Sequence, residues 1–189
     1  SVADLQTKIA DGYVFSAKAY EVNGETKLVI VQCVNGNAVT GTLTAADFAK
    51  GFVKLTGDAD LGNGLTVSGN WTIDLNGYTL TGTGAPYFTV PSGKSLTIED
   101  SGVDGTIEGI EAADAMIAIT GGTVTLNGGL LTGHTSSNAT ATQFGGAVSL
   151  RANNSKFTMN GGEISGNTGV RGGAIAAADS VSTGSVITI

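Results

Sequence analysis

Cysteine and histidine occur once each and proline only twice among 189 residues, and charged residues make up just 13%. A single cysteine cannot close an intramolecular disulfide, so the fold has to be held by its own core. A single histidine leaves no second imidazole for a shared zinc site. Basic residues are few, nine against sixteen acidic ones for a net charge of -7, which argues against nucleic-acid or anionic-membrane binding. No apolar run approaches the roughly 18 residues that cross a bilayer, and no basic-then-apolar leader stands at Ser1, so the expectation is no membrane span and, if exported, a trimmed form. Aromatics are only 6%. A chain of this length buries roughly 70% of its unfolded surface, enough for a core without staples.

Against these shortages stand 30 glycines and a motif that recurs in register. The copies are Leu75-Asn76-Gly77-Tyr78-Thr79-Leu80-Thr81-Gly82, Leu126-Asn127-Gly128-Gly129-Leu130-Leu131-Thr132-Gly133 and Met159-Asn160-Gly161-Gly162-Glu163-Ile164-Ser165-Gly166. Each is an apolar residue, an Asn-Gly corner, a short strand and a closing glycine, the mark of a stacked supersecondary unit. Before each corner lies an alternating strand: Ile73-Asp74-Leu75, Leu96-Thr97-Ile98, Val124-Thr125-Leu126, Phe157-Thr158-Met159 and Ile187-Thr188-Ile189. A further strand opens each unit: Leu65-Thr66-Val67, Phe88-Thr89-Val90, Ile117-Ala118-Ile119, Val148-Ser149-Leu150 and Ile175-Ala176-Ala177.

Period-2 alternation predicts one interior column of Ile73, Leu96, Val124, Phe157 and Ile187, a second of Leu75, Ile98, Leu126, Met159 and Ile189, and an outward column of Asp74, Thr97, Thr125, Thr158 and Thr188. Trp71 shares the parity of Ile73 and is expected in the core. Units spaced roughly 25 to 33 residues apart suit three strands and three corners and are too short for helix-containing βαβ units. The expected fold is therefore all-β: a right-handed parallel β-helix with three strands per coil, about five coils over residues 51–189, and an N-terminal α+β cap over residues 1–50. Its right-handedness rests on the rule for parallel crossovers together with a family resemblance carried by the same repeats.

Within the cap, Ala3–Ala10 reads as a short helix and Tyr13–Val22 with Lys27–Val34 as a hairpin turning at Asn23-Gly24. A second short helix is signalled by Thr44 as N-cap, Asp47 at N3 and Gly51 as the stop. Cys33 falls in the apolar run Leu28–Val34 and reads as a buried thiol.

The stretches Thr72–Gly82, Met159–Asn167 and Gly172-Gly173-Ala174-Ile175 resemble the right-handed β-helix repeats of large bacterial surface proteins and adhesins in the pectin-lyase-like superfamily. The resemblance covers about residues 51–189. It implies a secreted or cell-surface extended rod, often without enzymatic activity, and it also brings the alternative of a polysaccharide-binding or polysaccharide-degrading domain. Lyases of this fold use Ca²⁺-holding carboxylates with an Arg or Lys base, which here directs attention to Asp100 and Arg151.

No catalytic set emerges from the residues themselves, because the acidic side chains are scattered. The acidic corner Glu99, Asp100 and Asp104 is the candidate Ca²⁺ site, but it lacks the spacing of an EF-hand or of the Gly-rich calcium repeat, so no cofactor is expected. A hydroxylated strip through Thr97, Thr125 and Thr158 is the candidate surface for a glycan or host-surface ligand. A further candidate for ligand binding is the loop Thr135 to Phe144, the longest interruption of the coils, which follows His134, itself read as a surface residue.

The chain reaches Val186, Ile187, Thr188 and Ile189 inside a strand, before the expected Asn-Gly corner. An uncovered β-edge invites another strand. These observations lead to the expectation of a non-enzymatic, extracellular or cell-surface structural or adhesive module that associates end to end through residues 186–189, or a piece of a longer repeat protein.

Overall fold

The computed structural model describes residues 13–137, 145–179, 181 and 183–189, with no side chains for 15–19 and 28–33. The expected helix Ala3–Ala10, the side chain of Cys33 and Phe144 lie outside the described residues. The protein is all-β, dominated by a large parallel sheet that curls into a half-barrel.

Strands β1 (Tyr13–Val22) and β2 (Glu25–Asn35) form an antiparallel hairpin. It turns at Asn23-Gly24, where both residues have positive φ (55° and 75°), the geometry that Asn-Gly supplies at least strain. β3 (Asn37–Thr42) runs parallel to β4 (Phe52–Asp60), so this part of the segment expected to cap the repeat belongs to the large sheet itself. Between them Ala45–Lys50 forms a 3₁₀ helix. The Asp47 carboxylate accepts from the Thr44 amide (2.8 Å) and hydroxyl (2.7 Å), and Gly51 closes the turn at φ 79°. Phe48 from this helix stacks on Trp71, with centroids 4.2 Å apart. Leu43, Phe48 and Trp71 are buried together, so that end of the core is covered.

The repeat then begins with β5 (Leu65–Thr66), β6 (Asn70–Asp74) and β7 (Thr79–Thr81). The next unit holds β8 (Phe88–Pro91), β9 (Ser95–Glu99), β10 (Thr106–Glu108) and β11 (Glu111–Ala112). It is followed by β12 (Ile117–Thr120), β13 (Thr123–Leu126), β14 (Leu130–Thr132) and β15 (Thr135–Ser136). β16 (Val148–Leu150), β17 (Lys156–Met159), β18 (Glu163–Ile164) and β19 (Thr168–Gly169) repeat the order, and β20 (Ile175–Ala177) and β21 (Val186–Thr188) complete it.

Each strand pairs in parallel with its counterpart one unit away. β5, β8, β12, β16 and β20 make one sheet, with Leu65, Phe88, Ile117, Val148 and Ile175 in register as expected. The large sheet consists of two ladders, β6-β9-β13-β17-β21 and β7-β10-β14-β18, joined because opposite ends of β4 pair with β6 and with β7. β11, β15 and β19 form a third sheet. The expectation of three strands per unit thus falls one short in the units that carry these strands. A two-residue strand has no periodicity to reveal it.

The column prediction is two residues out at its first rung. Trp71 pairs with Leu96, and Ile73 with Ile98. The interior columns are therefore Trp71, Leu96, Val124, Phe157, Ile187 and Val53, Ile73, Ile98, Leu126, Met159. A slip of two leaves every side chain on its expected face, so the alternation pattern cannot distinguish the two registers. Trp71 through Phe157 are buried in the first column, and Val53 through Leu126 in the second.

Candidate functional site

The corrected register moves one carboxylate out of the threonine strip. Thr72, Thr97, Thr125, Thr158 and Thr188 form the outward column, and Asp74 instead lies beside Lys54 and Glu99. Asp74 was expected in water on parity, yet it is fully buried. The corner after β9 folds back over it: Ser101 donates its amide (2.8 Å) and hydroxyl (2.6 Å) to the carboxylate. Lys54, buried on β4, donates to the same carboxylate at 2.6 Å, and the amide of Asn76 completes the shell at 3.0 Å. Burial pushes the Asp74 carboxyl up, but the hydrogen bonds from Lys54 and Ser101 outweigh it and hold the group below its usual range. This is a closed electrostatic clamp between three successive turns of chain. Its signal in the sequence was Lys54, a lone cation inside the apolar run Phe52-Val53-Lys54-Leu55.

Of the expected Ca²⁺ residues, Asp100 spends its carboxylate on protein amides. Oδ1 accepts from Gly77 (2.8 Å) and Gly102 (3.2 Å), and Oδ2 from Gly105 (2.9 Å). Gly102 must be glycine here, because a Cβ would sit 2.3 Å from the Asn76 carbonyl carbon. Glu99 is half-buried beside Asp74, while Asp104 is exposed at φ 65°. Among the described residues no three His, Cys, Asp or Glu side chains converge as metal ligands. Asp100 and Asp104 instead edge an open cleft of about 350 Å³, shared with Thr106, Leu130 and Glu163 and floored by Gly105, Gly129 and Gly162.

His134 is a correction. It was expected at the surface of a loop, but it is fully buried. Its Nδ1 accepts the Ile110 amide (3.3 Å), and its Nε2 faces the Asp114 carbonyl at 2.7 Å, so the ring is neutral with its proton on Nε2. Burial lowers its pKa to about 4. The backbone on both sides explains the burial: His134 N–H donates to Asn167 Oδ1 (3.0 Å), and Asn167 Nδ2 donates to Leu131 O (2.8 Å). Arg151, the residue the lyase alternative would use as a base, pairs with both oxygens of Asp114 and is largely buried. Neither Asp114 nor Asn167 carried a sequence signal beyond its position in a turn.

Thr97, Thr125 and Thr158 do form the in-register, partly exposed strip that was expected, flanked by Asn70, Ser95, Thr123 and Lys156. No aromatic side chain joins either column.

The remaining candidate is the edge rung. Among the described residues the large sheet ends at β3 on one side and at β18 and β21 on the other, and β18 and β21, like one edge of each other parallel sheet (β19 and β20), come from residues after 162. Ile187 continues the interior column of Trp71, Leu96, Val124 and Phe157, yet it is 44% exposed where those four are buried. Val186 (48%), Ile189 (85%) and Val170 (54%) are also exposed on this part of the chain, and Thr188 with them. One interior apolar column, at Ile187, thus ends on an edge that presents a row of backbone donors and acceptors. No protein-family model matches the chain, and neither the curated proteins nor the solved structures yield a match to it.

Proposed function

We propose that the chain is a non-enzymatic structural module of an extracellular or cell-surface protein. In this reading it is a right-handed parallel β-helix that associates end to end through its edge rung of β18 to β21. The observation that carries the reading is Ile187, a core-column residue 44% exposed on a strand that has no second partner among the described residues. Covering the remaining exposed area of such a side chain contributes about 1 kcal/mol, and the neighbouring Val186 and Ile189 add to it, so a rung of this composition favours stacking. The polar side chains drawn in from solvent support the same reading. Lys54, Asp74, Asp100, His134 and Arg151, buried or half-buried, all have protein partners that hold turns of the chain together. The repeat resemblance supports surface localisation and an adhesive role.

Light scattering over a concentration series, with negative-stain microscopy at the top concentration, tests the proposal. The expected result is ordered stacks or fibres that are lost in Ile187→Lys and Ile189→Lys variants of unchanged circular dichroism. Uniform monomers across the series would refute association through this edge.

A second reading, binding of a glycan, draws on the open cleft beside Asp104 and Glu163. It predicts retention on polysaccharide affinity gels that Asp104→Ala and Glu163→Ala reduce. The lyase form of this alternative predicts calcium-dependent eliminative cleavage of uronic-acid polymers, lost in Asp100 or Arg151 variants.

A further inference from the structure

The three Asn-Gly corners of the repeat are alike in sequence but differ in what their glycine amides do. The Gly77 amide donates to Asp100 Oδ1 at 2.8 Å, and Asn76 Nδ2 is held by the Leu55 carbonyl at 2.9 Å. The Gly161 amide has only a long contact, 3.3 Å, to the Leu126 carbonyl, which the Asn160 amide already occupies at 2.8 Å. The Gly128 amide has no hydrogen bond among the described residues. Asn127 and Asn160 are both exposed, and their side chains meet each other at 2.9 Å.

We infer that Asn127 and Asn160 are sites of spontaneous deamidation and that Asp100 protects Asn76 from the same reaction. The backbone nitrogen of the following glycine, after losing its proton to solvent base, attacks Cγ of the asparagine. The N–Cγ bond forms, the Cγ–Nδ2 bond breaks, and nitrogen leaves as ammonia. Water then opens the cyclic imide at either carbonyl to give aspartate or isoaspartate. Glycine removes the steric barrier at the attacking residue, which makes all three corners competent in principle. The amide of Gly77 must first leave a carboxylate acceptor, and a charge-assisted hydrogen bond of this kind slows the step about tenfold or more.

The product matters to the fold as well as to the residue. Deamidation replaces the Asn127–Asn160 amide contact between neighbouring units with carboxylates two residues from Gly129 and Gly162, which line the cleft that holds Asp100, Asp104 and Glu163.

The test is peptide mapping by mass spectrometry of the full chain held at mildly alkaline pH, sampled over days, with the urea-unfolded chain as reference. Folded protein is expected to accumulate isoaspartate at residues 127 and 160 about tenfold or more faster than at residue 76, with the difference vanishing in urea. Asp100→Ala is expected to raise the rate at Asn76 alone. Should that variant misfold, the ranking within the wild-type chain decides. Equal conversion of Asn76 and Asn160 in the folded chain overturns the inference. So does an absence of conversion at Asn127 and Asn160 while the urea-unfolded chain converts.

Discussion

Acidification from pH 7 to pH 4 is expected to cost the fold about 3 kcal/mol through His134 alone. The ring is fully buried, accepts the Ile110 amide at Nδ1 and donates from Nε2 to the Asp114 carbonyl. A second proton would turn Nδ1 into a donor facing another donor, inside a core that does not solvate charge. The folded pKa is about 4 against an ordinary value of 6.5. Because the folded state holds the weaker base, the unfolded chain takes up the proton first. The stability is therefore fully present above pH 6.5, declines by about 1.4 kcal/mol per pH unit as pH falls from 6.5 towards 4, and levels off below. Against a total of about 5–15 kcal/mol for an ordinary domain this is a large share. The charged groups nearby, Arg151 and Asp114, pair with each other. Urea unfolding at half-unit steps from pH 7.5 to 4 measures the effect, with His134→Gln as reference. The variant starts lower but should lose the 6.5-to-4 component, because the carboxylates common to both chains cancel in the difference. Parallel curves for the two proteins over this range would refute the burial argument.

Asp74→Ala removes the carboxylate that pairs with the buried Lys54 ammonium and is expected to destabilise by about 3–5 kcal/mol, whereas the double change Lys54→Met with Asp74→Leu should cost clearly less than either single change; denaturant midpoints compare them. Trp71→Ala removes the partner that Phe48 stacks on and should cost about 3–5 kcal/mol in the same assay. Gly146→Ala places a Cβ 2.0 Å from the Gly173 carbonyl oxygen and is expected to abolish soluble expression. Gly93→Ala, with open space around it at φ 72°, should cost only about 1–2 kcal/mol by thermal melting.

The faces of the strands were legible because alternation survives any even slip in register. Leu65, Phe88, Ile117, Val148 and Ile175 align as their spacing predicts, and Trp71 enters the core on parity alone. What parity cannot report is cover supplied by distant chain. Asp74 occupies an outward position and is buried because the Ser101 corner, 27 residues later, lies on top of it. His134 was read as a surface residue because nothing local indicates that Ile110, Asp114 and Asn167 surround it. The ladder of β11, β15 and β19 was missed because two residues carry no pattern. The edge rung was legible in part: alternation marked Ile187 and Ile189 as inward-facing and residues 186–189 as an uncovered edge, while the grouping of β18 to β21 on that side comes from the pairing order.

β4 gives this stack a common origin. One end of the strand sets the register of β6 and, through it, of every rung down to β21, while the other end sets that of β7 down to β18. The two ladders are copied from a single template, so a slip in either must be shared by both or tear the strand that feeds them. Mutational damage in β4 should therefore spread to the opposite end of the molecule, whereas damage in β17 or β18 stays confined to the last units. Order in this protein is inherited along the stack, and the copy farthest from β4 is the one with its apolar residues most open to solvent.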